Sequence, residues 1–203
     1  MRKDILIEIH TEAVLRAAEK LFEKKGYEAT STEDIAKRTG ISKSTMYAYF
    51  KSKQDIWDSL VCKYMELLLN ELKKTVAGEG SFEDRYYKLC FDIASQFEEH
   101  PVIYKGALGK MDVVTDNGIS NRLHAVFEEI NEVFSGLIQN GIDEGVVRKD
   151  IDICPTVIMM WSSISGIIQV AIDKEEYLKS KFDMSKKDYL KKAFKVLLDG
   201  ILQ

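Results

Sequence analysis

Residues 40–53 read GISKSTMYAYFKSK, and two kinds of side chain alternate through them. Ile41, Met46 and Phe50 are apolar, while Lys43, Ser44, Thr45, Tyr47 and Tyr49 fill the places between. Met46 and Phe50 are four residues apart, so a helix puts both on one face and leaves the Lys and hydroxyl side chains elsewhere. Ser42, just after Gly40, is placed to cap that helix. Upstream, Ser31-Thr32-Glu33-Asp34 has the form of a capping box, with Ser31 capping and Asp34 reaching back. Ile35 and Ala36 then lie inside a first short helix, Gly40 supplies the turn, and Ile41 plugs the angle between the two helices. The stretch is a helix-turn-helix.

The rest of the chain also reads as helices. Ile5, Leu6, Ile9, Val14, Ala17, Ala18, Leu21 and Phe22 recur at helical spacing, and Lys24, Lys25 and Gly26 form a helix end. Ser52 opens a long helix running from Lys53 to about Thr75, with Asp55 in the acidic third position. Asp is shorter than the usual Glu or Gln there, so the reciprocal bond to the cap is less secure. Further helices are expected at about Phe82–Glu99, Val102–Met111, Ile119–Asn140, Pro155–Asp173 and Ser185–Leu202, with a turn-rich connector at Gly141–Asp152. No alternating strand pattern or internal repeat is present. The expected fold is all-α, with a helix-turn-helix domain at residues 1–52 and a larger helical domain at residues 53–203.

Composition narrows the function. The chain of 203 residues carries a net charge of −4, which argues against wholesale coating of nucleic acid. Charge is uneven, however. Lys37, Arg38, Lys43, Lys51 and Lys53 fall between Ile35 and Gln54 with no acid among them. Cys62, Cys90 and Cys154 are far apart and have no metal-binding spacing, so they read as thiols of a reducing compartment. The N-terminal MRKDILIEIHTEA lacks a continuous apolar core and a small-residue cleavage site, so no signal peptide is expected. Ile153–Ile172 carries no charge and approaches membrane-spanning length. Its serines, Gln169, Pro155 and Gly166 suit a helix buried in a globular domain, and no membrane partner is expected. GxSxG, P-loop, HExxH and dinucleotide motifs are missing, and the three histidines are scattered. Neither catalysis nor a metal or cofactor is expected.

The Lys, Ser, Thr and Tyr side chains of the second helix are the types that bind phosphate oxygens and base edges. A helix entering the major groove leads with its N-terminal residues. Carboxylates would repel the phosphates. An ordinary helical hairpin explains Met46 and Phe50 equally well but leaves the concentrated hydroxyls without a reason.

The sequence AAEKLFEKKGYEATSTEDIAKRTGISKSTMYAYFKSK resembles the DNA-binding domain of the tetracycline-repressor (TetR/AcrR) family of bacterial regulators. Its AAxxLF, GYxxTS, DIA, GISKxTxYxYF and SK elements stand in the family's order and spacing. The resemblance implies phosphate contact at Thr32 and base-edge contact at Lys43 and Ser44. Thr45, Tyr47 and Tyr49 match positions touching phosphate or nearby base edges, and Lys53 matches a phosphate clamp. Ala48 stands where some members carry a larger residue. Arg2 and Lys3 could form an arm along the DNA backbone, but a frayed terminus explains them better.

The resemblance further implies that residues 53–203 hold a small-molecule pocket and a dimer interface. Met65, Tyr104, Phe127, Trp161, Ser165 and Gln169 are candidate ligand contacts, and Met111, Met159 and Met160 add to the supply of adaptable apolar side chains. The last two helices are expected to pair two subunits through Ile164, Gly166, Ile167, Val170, Leu190, Phe194, Leu197 and Ile201. Two readings follow. The first is a cytoplasmic, dimeric regulator, a repressor released from a pseudo-palindromic DNA operator by a small apolar or amphipathic molecule. The second is an all-helical ligand- or partner-binding protein whose helix-turn-helix is scaffold only.

Overall fold

The computed structural model describes residues 2–107 and 118–203; Met111 and the side chains of Arg2 and Lys3 lie outside what is described. Among the described residues ten helices follow in order: α1 (Arg2–Lys25), α2 (Thr32–Thr39), α3 (Lys43–Tyr49), α4 (Lys53–Val76), α5 (Phe82–Glu99), α6 (Pro101–Ala107), α7 (Gly118–Asp143), α8 (Ile153–Asp173), α9 (Glu175–Phe182) and α10 (Lys186–Asp199). The only extended pairing among the described residues is an isolated bridge between Val147 and Leu202, which ties the C-terminus to the connector after α7. The protein is all-α, as the periodicity requires.

The chain divides into two compact units. The first comprises residues 1–65 with the described parts of 106–124; the second comprises 66–105 and 125–203. The division by packing falls within α4, beyond residue 52, because Ile56, Trp57, Leu60 and Val61 on its first turns are core side chains.

Three aromatic rings join three segments of the first unit. Trp57 of α4 meets Phe22 of α1 at 5.3 Å between centroids, edge to face, and Tyr27 of the α1–α2 loop at 5.3 Å. Phe22 and Tyr27 stand 5.4 Å apart. Such pairs contribute about 0.5–1.5 kcal/mol each beyond the burial of their area. Gly106 of α6 lies so close to the Trp57 ring that an added Cβ would sit 2.2 Å from its Cζ2.

Helix starts match their sequence signals. At α2, Ser31 Oγ accepts from the Asp34 N–H at 3.1 Å and Asp34 Oδ2 accepts from the Ser31 N–H at 3.0 Å. At α4, Ser52 Oγ accepts from the Asp55 N–H, but Asp55 Oδ2 takes the N–H of Lys51 instead of the cap residue's own. The shorter carboxylate thus satisfies a different donor.

In the second unit, α8 packs on α5 and α10, and α10 also reaches α5. The Tyr86 hydroxyl donates to the Phe194 carbonyl at 2.9 Å, and Phe91 meets Phe194 edge to face. By length and composition α8 is apolar enough to cross a membrane. It buries one face in the second unit, built from Val157, Met160, Trp161, Ile164, Ser165, Ile168 and Ala171. On its other face Ile158, Met159 and Val170 remain 57%, 58% and 43% exposed. Helix α9 was not expected. Lys174 gives it no side-chain cap bond and only Leu178 is buried, so neither signal that reveals a helix was present.

Gly106→Ala is expected to lower stability by about 1–3 kcal/mol, because the methyl group forces the Trp57 ring from its seat. In a Trp57→Phe background, which lacks the outer ring, the loss should shrink. Thermal unfolding of the four proteins measures this, and equal losses in both backgrounds would mean that the glycine serves something other than this contact.

Candidate nucleic-acid interface

The geometry of α2 and α3 is set by one turn and two buried side chains. Gly40 closes α2 with a left-handed conformation at φ 71°, its N–H returning to the Ala36 carbonyl. This is a conformation that a side chain would strain. Ser42 then caps α3, accepting from the Thr45 N–H at 3.1 Å. Met46 and Phe50 are buried. With that face fixed inward, Lys43, Ser44 and Tyr47 are exposed, and Thr45 and Tyr49 are half-buried on a flank.

The polar groups of this surface are already joined to one another. The Thr32 hydroxyl lies 3.1 Å from the Tyr47 hydroxyl, linking the start of α2 to the middle of α3. Ser42 Oγ lies 2.9 Å from Ser44 Oγ and 2.8 Å from Thr45 Oγ1. Lys43 Nζ donates to a Glu33 carboxylate oxygen, and that bond pushes the ammonium pKa up. The Tyr49 hydroxyl turns toward α1, 3.2 Å from His10 Nδ1.

Lys53 sits differently from the other candidates. Its Nζ donates to the Tyr27 carbonyl at 2.8 Å and to the Glu28 carbonyl at 3.4 Å, and lies 4.2 Å over the Tyr27 ring. The ammonium thus closes the α1–α2 loop from α4, and any contact with phosphate uses the donor left over. Two neighbours, Glu33 and His10, were missed by the sequence reading. Glu33 lies just outside the acid-free stretch, and no local pattern shows that the first turn of α2 comes beside that of α3.

The capping carboxylate of Asp34 carries a second load. Its Oδ2 accepts from Lys25 Nζ at 2.7 Å and from the Ser31 hydroxyl at 2.8 Å, besides the Ser31 N–H. The Lys25 bond first, and then the Ser31 bonds, hold its carboxyl well below the usual carboxylate range.

The candidate ligand residues fall in different units. Met65 belongs to the first, and Tyr104, Phe127, Trp161, Ser165 and Gln169 belong to the second. All except Gln169, which is half-buried, are buried. The Tyr104 hydroxyl donates to Gln96 at 3.2 Å. Trp161 Nε1 and Ser165 Oγ, one turn apart on α8, are buried with no hydrogen-bond partner among the described residues.

The expected dimer residues need correction. Ile164, Leu190, Phe194 and Ile201 are already buried inside their own subunit, so a partner can cover nothing more of them. Gly166, Val170 and, in part, Ile167 and Leu197 remain accessible. The apolar side chains that the subunit leaves uncovered include Ile158 and Met159 on α8 and Val196 on α10, the last 70% exposed.

Comparison with known proteins gives matches of three kinds. The family described as "Bacterial regulatory proteins, tetR family" matches residues 14–60. The biofilm operon icaADBC HTH-type negative transcriptional regulator IcaR of Staphylococcus aureus is 26% identical over 128 residues, covering 63% of this chain and 67% of that protein. Among solved structures, a TetR/AcrR-family transcriptional regulator from Thermobifida fusca superposes with a TM-score of 0.73 at 21% identity, over 94% of this chain and 97% of the other. The transcriptional regulator FadR from Bacillus subtilis, in complex with stearoyl-CoA, also gives 0.73, at 16% identity over 94% and 98%.

Acid should test the Asp34 cluster. A carboxyl whose pKa is lower folded than unfolded stabilises fully above its unfolded value of about 4, and that contribution is lost as pH falls through the folded value. Urea unfolding of wild type should therefore show stability falling below about pH 4 more steeply than in Asp34→Asn. Parallel acid limbs would mean that the carboxylate gains nothing from Lys25 and Ser31.

Proposed function

Since this chain belongs to the tetR family of bacterial transcriptional regulators, we propose that it is a dimeric repressor that a small apolar or amphipathic molecule releases from its operator. The observation that carries the DNA-binding part is the division of α3. Met46 and Phe50 hold the helix inward, while Lys43, Ser44 and Tyr47 face solvent with no carboxylate of their own helix among them. A scaffold-only hairpin would have no need of that outer set. Lys43 and Ser44 read base edges in the major groove. Thr32, Thr45, Tyr47 and Tyr49 bind phosphate or adjacent edges, and Lys53 holds the loop that presents α2 and donates its remaining proton to the backbone of the duplex. Such a protein works in the cytoplasm, where the DNA is.

A two-fold dimer serves this reading. One head reads few base pairs, and two heads on a pseudo-palindrome gain both affinity and register. The exposed stripe of α8, with Ile158, Met159, Ser162, Gly166 and Val170, supports an interface on that helix, extended by Val196 of α10. Ser162 and Gly166 let two backbones approach. An interface of this kind buries on the order of 2,000 Å² or more in total.

For the effector, the stearoyl-CoA complex of the structurally similar FadR supports an apolar tail with a polar end. The unpartnered Trp161 and Ser165 polar atoms on the buried face of α8 support a hydrogen-bond contact from the second unit. Repression then ends when the molecule binds the DNA-released state more tightly than the DNA-bound one.

Lys43→Ala should cost roughly 1–3 kcal/mol on the preferred duplex and relax the preference at one base pair. Lys53→Ala should weaken all duplexes alike, flatten the salt slope by about one, and also lower thermal stability through loss of the Tyr27 contact. Fluorescence anisotropy across a salt series reads both. Equal, sequence-independent losses would remove the base-reading role of Lys43, and unchanged binding in both would remove the interface.

Gly166→Arg and Val170→Glu should convert a dimer at micromolar concentration to monomers. Gly166 is exposed and nothing lies within 4 Å of a Cβ added there, so the new side chain starts into open space. Sedimentation velocity decides: a monomeric wild type, or variants that stay dimeric, would move the interface off this face.

A further inference from the structure

The carboxylate of Glu33 stands against the lead cation of α3. Glu33 is in the first turn of α2 and Lys43 in the first turn of α3; both are exposed, and the ammonium donates to the carboxylate. Among the described residues this is the one carboxylate bonded to the exposed set of α3. Asp34, next to it, is committed to Lys25 and Ser31. An exposed ion pair of this sort adds little to stability, so stability gives no sufficient reason for it.

We propose that Glu33 is a specificity-determining residue: it restricts Lys43 to the uncharged acceptors of base edges and denies it to phosphates. The role rests on the base-reading assignment of Lys43 and refines it. An ammonium has three donors. It can keep one on Glu33 and give the others to guanine O6 and N7, which are acceptors without net charge. A phosphate in the same place would bring a full negative charge against the Glu33 carboxylate. The pair therefore leaves the sequence-specific complex nearly untouched and weakens binding to every duplex where Lys43 meets only backbone. Neutralising one further phosphate steepens log K against log salt by about 0.9, a gain of about eight-fold at roughly 0.1 M salt. Glu33 withholds this gain from non-specific DNA.

The test compares wild type, Glu33→Gln, Lys43→Gln and the double variant by fluorescence anisotropy. Two duplexes are used: one selected by wild type from a random-sequence library, and a shuffled duplex of the same length and composition. Glu33→Gln should bind the shuffled duplex tighter, by up to about eight-fold, with its salt slope steeper by about 0.9. Binding to the selected duplex should change less, so that the preference narrows. In the Lys43→Gln background the same substitution should gain little. A wild type that discriminates while Glu33→Gln keeps its ratio and slope would overturn the role of Glu33 alone. So would a gain that persists without Lys43, since Glu33 would then act as a lone charge. A wild type that binds both duplexes equally would remove the base-reading assignment of Lys43, and this role with it.

Discussion

The edge-to-face seat of Trp57 between Phe22 and Tyr27 is the contact on which the first unit depends. It brings together α1, the loop into α2 and the start of α4, three segments that share no hydrogen-bonded ladder. Tyr27 in turn carries Lys53 on its ring and carbonyl. The loop into α2 is thus held by ring packing and by a cation. Truncating a buried aromatic costs about 3–5 kcal/mol, a large part of the stability of a small domain. Gly106 lies against the same ring.

Above that seat, the exposed polar groups of α2 and α3 satisfy each other before any DNA arrives. Thr32 with Tyr47, Ser42 with Ser44 and Thr45, and Lys43 with Glu33 are local closures. They reduce the rotamer freedom of these side chains; in the proposed DNA complex they are exchanged for contacts of similar quality, and a duplex that offers such contacts is favoured over one that does not.

Helix starts and the inward face of α3 were legible in the sequence because each is a local pattern: a capping serine, a glycine at a forced turn, two apolar residues four apart. The Lys43–Glu33 pair was not legible, because it joins two helices whose approach depends on Gly40 and on what Met46 and Phe50 pack against. Helix α9 was missed because it has neither a capping side chain nor more than one buried residue. The apolar stripe of α10 is plain in the sequence, but what covers it is not. Leu190 and Phe194 look the same in sequence whether their own subunit or a second one covers them, and only the packing of α5 and α8 shows that the cover is internal. Likewise the long uncharged run of α8 concealed two faces, one for the core and one left outside.

On α3 the side chains that hold and the side chains that face outward are different residues. Met46 and Phe50 fix the helix, while positions 43, 44 and 47 project from it and carry no share of the core. Changes at the outer positions cost little folding free energy, typically within about 0.5 kcal/mol for surface sites. Over generations such a helix can drift from one operator to another without passing through an unfolded intermediate. The same frame could therefore come to govern new genes by exchanging a few exposed residues.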